Sequence, residues 1–241
     1  MPTIALMIPN RGAIVTSLLL ICSVSRSSAQ NQAASEERPA PPKNSRIKEG
    51  GVNISDQAGK LVIEIGGQPF AEYQYQGVAK PYLYPILGPG GERMTREWPM
   101  KNVPGEEHDH PHHRSLWYAH GDINGQDFWS ETEKSGKTVH QNFTQIESGP
   151  EVGFFKESVK LVGQDGHVVG SDERTFRFYN RTNQRLFDFE ITIRATETNL
   201  VFGDTKEGTM AIRLAESMRL TGPKNKPGAG HILNSEGVRD A

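Results

Sequence analysis

The chain has 241 residues, 35% apolar and 23% charged, with 27 Lys and Arg against 29 Asp and Glu and a formal charge of -2. That profile fits one globular domain with room for a real core, and it lacks the basic concentration that a nucleic-acid binder needs to neutralise phosphates. A single cysteine excludes an internal disulfide and the paired-cysteine zinc patterns, leaving His, Asp or Glu to hold any metal.

Residues 1–29 read as a secretory signal peptide. Arg11 precedes an apolar run over 13–22, and Ser27-Ser28-Ala29 supplies a small-residue cleavage point after Ala29. The run is roughly half of what a bilayer-spanning helix needs, and nothing elsewhere approaches about 18 apolar residues, so no membrane span is expected. Cys22 follows the bulky Ile21, where a lipidation signal carries a small residue. Removal of the leader leaves a cysteine-free chain, which suits an exported, periplasmic or extracellular protein. Residues 30–49, with Pro39, Pro41 and Pro42 and no apolar periodicity, read as a disordered linker.

From Gly50 to Ala241 the pattern changes to short β-branched and aromatic runs punctuated by Gly, Asn and Asp, the mark of an antiparallel all-β domain. Residues 61–65 and 70–75 around Gly66-Gly67 form a hairpin. Further strands are expected at 138–146, 153–162, 168–179, 186–195 and 209–220. In the last of these Met210, Ile212, Leu214, Glu216 and Met218 share one mostly apolar face, so two packed sheets follow. Lys80-Pro81-Tyr82-Leu83-Tyr84-Pro85 reads as a rigid aromatic loop lining a pocket, or as an edge connection that its prolines keep from pairing.

Five of the eight histidines fall within thirteen residues: His108, His110, His112, His113 and His120. Imidazoles titrate near neutrality and ligate metals when neutral, and these are interleaved with Trp117, Tyr118, Phe128 and Trp129, which a free loop has little reason to carry. If residues 112–120 were one extended strand, His112 and His120 would stand about 26 Å apart and could not share a metal. His108, His110 and His112 have the alternating spacing to hold a divalent metal, although Pro111 disturbs it; a metal-free acid/base and sugar-binding role is the favoured reading. Asp122, Asn124 and Asp127, around an Asn124-Gly125 turn and beside Trp129, form either a tight hairpin or a display of polar groups and aromatic faces for sugar hydroxyls. Asp204, Lys206 and Glu207 sit in a glycine-flanked connection that is either a charged turn or the source of a carboxylate partnering a histidine.

The strings KPYLYP (80–85), HPHHRSLW (110–117), GDING (121–125), DFW (127–129) and FGDTKEG (202–208) with AIR (211–213) resemble the bacterial family labelled PmoA, or methane oxygenase PmoA, over about residues 50–241. The resemblance implies an exported protein met in the company of carbohydrate-degrading and sugar-oxidising enzymes. By fold-level analogy it implies a mutarotase-like supersandwich whose His and carboxylate residues handle a sugar. Family members look longer, so the domain is expected to be incomplete at its C-terminal end. The combined expectation is a two-sheet β-sandwich that binds or processes a saccharide. His112, His113, Arg114, His120, Asp204 and Glu207 are the catalytic candidates. Tyr82, Trp117, Asp122, Asn124, Asp127, Trp129 and Lys206 are the ligand-binding candidates. The alternatives are a non-catalytic carbohydrate-binding or scaffold module and, taking the family label literally, a metal-dependent oxygenase with its metal on His110, His112 and a carboxylate.

Overall fold

The computed structural model describes residues 50–222 and 226–240. The expected leader and linker therefore lie outside the described residues. Strands β1 (Val52–Asp56), β2 (Lys60–Ile65), β3 (Gln68–Gln74), β4 (Tyr82–Ile86), β5 (Leu116–Tyr118) and β10 (Met210–Ile212) make one antiparallel sheet, in the order β1-β2-β3-β4-β5-β10. Strands β6 (Lys137–Glu147), β7 (Val152–Val162), β8 (Val168–Tyr179) and β9 (Leu186–Arg194) make a second, an antiparallel meander. The chain is thus the all-β, two-sheet sandwich that its patterning predicts. Among the described residues the one helical element is a 3-10 turn, Glu216–Met218, and no helix is long and apolar enough to cross a membrane.

Period-two alternation explains the sandwich. Phe155 and Val159 of β7, Phe176 and Phe178 of β8, and Phe189 and Ile191 of β9 point inward, and Ile54, Ile63, Phe70, Tyr73, Leu83, Leu116 and Tyr118 meet them from the other sheet. The rings of Phe176 and Phe189 stack at 4.3 Å, and Phe70 meets Phe178 edge-on at 5.8 Å. Full burial of one such side chain contributes roughly 1.5–3 kcal/mol, so this aromatic layer carries much of the inter-sheet attraction. The β2–β3 hairpin turns on Gly66 and Gly67, both at positive φ. Along one edge the sheets come together where Val52 exchanges backbone hydrogen bonds with Gly149; a Cβ on Gly153 would lie 2.6 Å from Val52 Cγ1, so that approach requires glycine.

Two expectations fail in detail. The 80–85 segment is not a loop: Tyr82–Ile86 is an interior strand between β3 and β5. Pro85 is tolerated because pairing with β5 extends only to Leu83↔Leu116, and the register with β3 is interrupted across this stretch. The 209–220 strand stops at Ile212, since its partner β5 begins at Leu116. Beyond that point Leu214 bridges Thr95 and the Ala215 N–H donates to the Met94 carbonyl, carrying the chain into the 3-10 turn.

The same alternation turns charges inward. Glu157, Asp172 and Arg174 are almost completely buried between the sheets. Arg174 Nε donates to Asp172 Oδ1 at 2.7 Å and its guanidinium lies 5.6 Å from the Tyr118 ring centre. The Tyr73 hydroxyl donates to one oxygen of Glu157, and His140 Nδ1 lies 2.7 Å from the other. Burial and the Glu157 charge push the Tyr73 hydroxyl well above its usual range, so it stays a donor. Burial also raises the Asp172 carboxyl, against the opposing pull of Arg174.

Candidate functional site

Leu116 and Tyr118 face the second sheet, so Trp117 between them faces the opposite way. There it packs with Tyr82 of β4, Ala119, Trp129 and Ala211 of β10. This outer face of the six-stranded sheet is where the histidine-rich chain settles. Behind it lies a charge assembly that joins positions far apart in sequence. Lys80, 1% exposed, places Nζ 2.6 Å from Glu131 Oε1 and 2.8 Å from the Trp129 carbonyl. Arg114 Nε donates to Glu131 Oε2 at 2.7 Å, and its guanidinium covers the Tyr82 ring at 5.6 Å. Burial lowers the Lys80 ammonium and Glu131 opposes that shift. Lys80 opens the KPYLYP string, but nothing in the sequence pairs it with Glu131; that pairing comes from the fold.

Residues 106–113 are fastened down by a second network. Asp109 accepts from Arg96 at 2.8 Å and from Arg213 at 2.6 Å, while Glu216 accepts from Arg96 at 2.7 Å and from Arg219 at 2.6 Å. Glu106 accepts the backbone N–H groups of Glu97 and Trp98. Burial raises the Asp109 carboxyl, but hydrogen bonds from His110 and Arg213 outweigh it and hold the group well below the usual carboxylate range. The chain then doubles back: His110 and Ser115 adopt positive φ, and the His113 N–H donates to the His110 carbonyl at 2.9 Å.

That turn replaces the expected extended alternation and gathers three imidazoles. His110 stacks on His113 at 4.7 Å, and His112 meets His113 edge-on at 4.5 Å. His113 in turn stacks on Trp117 at 5.1 Å and meets Trp129 at 5.7 Å. His108 is not with them; its ring stacks on Trp98 at 4.1 Å. His108, His110 and His112 are therefore not convergent, and among the described residues no group of three His, Cys, Asp or Glu side chains is arranged to hold a metal ion. The donor set does not fit a metal centre, because the turn at Pro111 redirects the rings and His113 Nδ1 faces Arg213 Nη1 at 3.3 Å.

A guanidinium only donates, so His113 Nδ1 is the acceptor and the neutral ring carries its proton on Nε2. Burial, reinforced by the charges of His112, His110 and Arg213, pushes the imidazole down to about 4, so the ring is neutral at pH 7. His113 Nε2, Trp117 Nε1 and Trp129 Nε1 are all buried with no acceptor among the protein's own groups. Three neutral N–H donors thus lie on adjacent rings. Burial also lowers His112, with Lys80 and His110 adding to the shift and Glu131 and Asp127 opposing it.

The titration of His113 gives a measurable signature. Trp117 and Trp129 contact His113 whereas Trp98 stacks on His108, so in a Trp98→Phe background tryptophan fluorescence reports on the surroundings of His113. An imidazolium quenches an adjacent indole more than a neutral ring does. Fluorescence should therefore fall on acidification with a midpoint near 4 rather than near 6.5, and the step should vanish in His113→Gln. A folded-state value below the unfolded one means that the unfolded chain takes up its proton first. Stability held above pH 6.5 is then lost between 6.5 and about 4 as pH falls.

The other expected residues divide. Glu207 lies within electrostatic reach of His113 and pairs with Lys206 at 3.2 Å, whereas Asp204 is exposed. His120 donates from Nε2 to the Gly203 carbonyl at 2.9 Å and touches Phe202, so it straps the 203–208 loop rather than joining the imidazole group. Asn124 and Gly125 form the expected positive-φ turn. Asn124 is hydrogen-bonded to the backbone of Asn199 and Val201, and Asp122 accepts the Gly125 N–H. Asp127 accepts the N–H groups of Trp129 and Ser130, which holds Trp129 in place and keeps the carboxyl lowered although burial raises it.

A family model described as a family of unknown function (DUF6807) matches residues 60–241. The chain belongs to the DUF6807 family. The match contains the whole imidazole–indole face of this DUF6807 chain and the Lys80–Glu131–Arg114 assembly behind it. No curated protein and no solved structure matches the sequence.

Proposed function

We propose that this DUF6807 chain is an exported carbohydrate-binding protein that carries out acid/base chemistry on its sugar, and that the outer face around His112 and His113 is the site. The observation that carries the reading is the set of three buried ring N–H donors on His113, Trp117 and Trp129, which call for an acceptor that the protein does not itself supply. Sugar oxygens are such acceptors, and indole faces are the usual platform for the apolar side of a sugar ring. His110, half exposed and stacked over His113, is the ring that an incoming ligand displaces.

His112 is the acid/base residue in this scheme. Its ring is neutral at pH 7, it lies beside His113, and the Glu131 and Asp127 carboxylates stabilise the proton it takes from a sugar hydroxyl. Arg114 and Lys80 are positioning residues that hold Glu131. The leader-like N-terminus and the resemblance of HPHHRSLW to the PmoA-labelled family support export and a place among sugar-handling proteins.

Tryptophan fluorescence of the chain is titrated with a panel of monosaccharides and oligosaccharides. A saturable change is expected with at least one sugar, abolished in His113→Gln, while His112→Gln keeps binding and loses turnover. If no sugar produces a saturable change, or if the change survives in His113→Gln, the reading fails. If His112→Gln leaves both binding and any turnover intact, the chain is a non-catalytic module.

A further inference from the structure

We propose that the His140–Glu157 pair is a second, independent ligand site, built to accept the hydroxyl proton of a small phenol-like molecule. His140 lies on β6, in the other sheet from the imidazole–indole face. Its Nδ1 lies 2.7 Å from Glu157 Oε1, and Glu157 is fully buried with its second oxygen occupied by the Tyr73 hydroxyl. The carboxylate therefore accepts a hydrogen bond from Nδ1–H, which fixes the tautomer and leaves Nε2 as an acceptor. Tyr75 and Phe143, each with its ring centre 4.5 Å from that of His140, hold the imidazole in place. This is how a carboxylate orients and polarises a general-base histidine.

The imidazole is not sealed in. With Tyr75, Gln76, Gly77, Val78 and Val139, His140 lines a surface depression of about 330 Å³. That is at the small end of ligand pockets, room for a single-ring molecule. The lining decides the class. Val78, Val139 and the Tyr75 ring are apolar, and the Tyr75 hydroxyl is turned to Asp56 at 2.7 Å, leaving Gln76 and His140 as the polar side chains of the lining. A polyhydroxylated sugar would leave most of its hydroxyl groups unpaired there. A molecule with one hydroxyl on an apolar ring matches both the single acceptor and the aliphatic wall.

The test uses the full chain and phenol as the probe, followed by NMR of the His140 ring and the Val78 and Val139 methyl groups. Saturable shifts confined to these groups are expected. His140→Gln should weaken binding about tenfold, the loss of one hydrogen bond to a polarised group. His140→Gln keeps an amide for Glu157; should it fail to fold, Gln76→Ala at the rim supplies the same readout with a smaller loss. Absence of saturable shifts, shifts unchanged in His140→Gln, or glucose producing them in place of phenol would each overturn the proposal. Val78 also packs against the Trp117–Trp129 cluster, so the two readings are separated by variant: the phenol shifts should survive in His113→Gln, which abolishes the sugar response, and the sugar response should survive in His140→Gln.

Discussion

Replacing Arg174 by Met lowers the stability of the folded chain by about 3–5 kcal/mol, read as a shift of the urea unfolding midpoint at pH 7. The guanidinium is the cation that Asp172 and Glu157 share between the sheets, and both carboxylates are almost fully buried. Removing it leaves two buried carboxylates side by side on the neighbouring strands β7 and β8, where the Tyr73 hydroxyl and His140 hydrogen-bond to Glu157 alone. The double variant Asp172→Leu, Arg174→Met should recover at least half of the loss, because one of the stranded charges goes with the cation. A single variant within about 1 kcal/mol of wild type would show that water or rearrangement reaches this layer, and would sink the account of it as a sealed ionic core.

Glu131→Gln has an effect of similar size on the opposite face. Lys80 then loses the carboxylate it touches and stays buried beside Arg114 with only the weaker pull of Asp127, and the expected loss is about 3–5 kcal/mol. The pH dependence separates this cause from loss of packing. Burial lowers the Lys80 ammonium, so above its folded-state value the folded chain releases the proton before the unfolded chain does, and stability rises with pH up to about 10.5. Without Glu131 the depression deepens. The deficit of Glu131→Gln should therefore shrink from pH 8 to pH 10, and Lys80→Met combined with Glu131→Gln should show no such slope. A deficit that stays constant with pH would mean that Glu131 acts through shape and not through charge. Since Glu131 also lies within electrostatic reach of His112, the same variant should weaken any sugar response of the tryptophans.

The sandwich was readable because a strand sorts its residues by parity. Phe176 and Phe178 on one side of β8, against Thr175 and Arg177 on the other, announce a buried and a wet face without knowledge of any partner. The same parity puts Glu157, Asp172 and Arg174 inward, so a charged residue in the apolar register was the available signal for the ionic core. Tyr82–Ile86 escaped because its prolines resemble a connection. The end of β10 escaped because it depends on where β5 begins, a property of another part of the chain. In the histidine segment the extended spacing misjudged the geometry: Pro111 and the positive φ of His110 fold the segment into a turn.

Local sequence, then, determined the all-β class, most strand positions and the Gly66-Gly67 and Asn124-Gly125 turns, since periodicity and turn chemistry act over a few residues. Tertiary structure alone decided that Lys80 meets Glu131, that His113 stacks on Trp117 and meets Trp129 edge-on while His108 lies on Trp98, and that His140 and Tyr73 share Glu157. Each of those pairings depends on which strands are neighbours and which loops cross the sheet, and burial then sets the protonation of the groups involved.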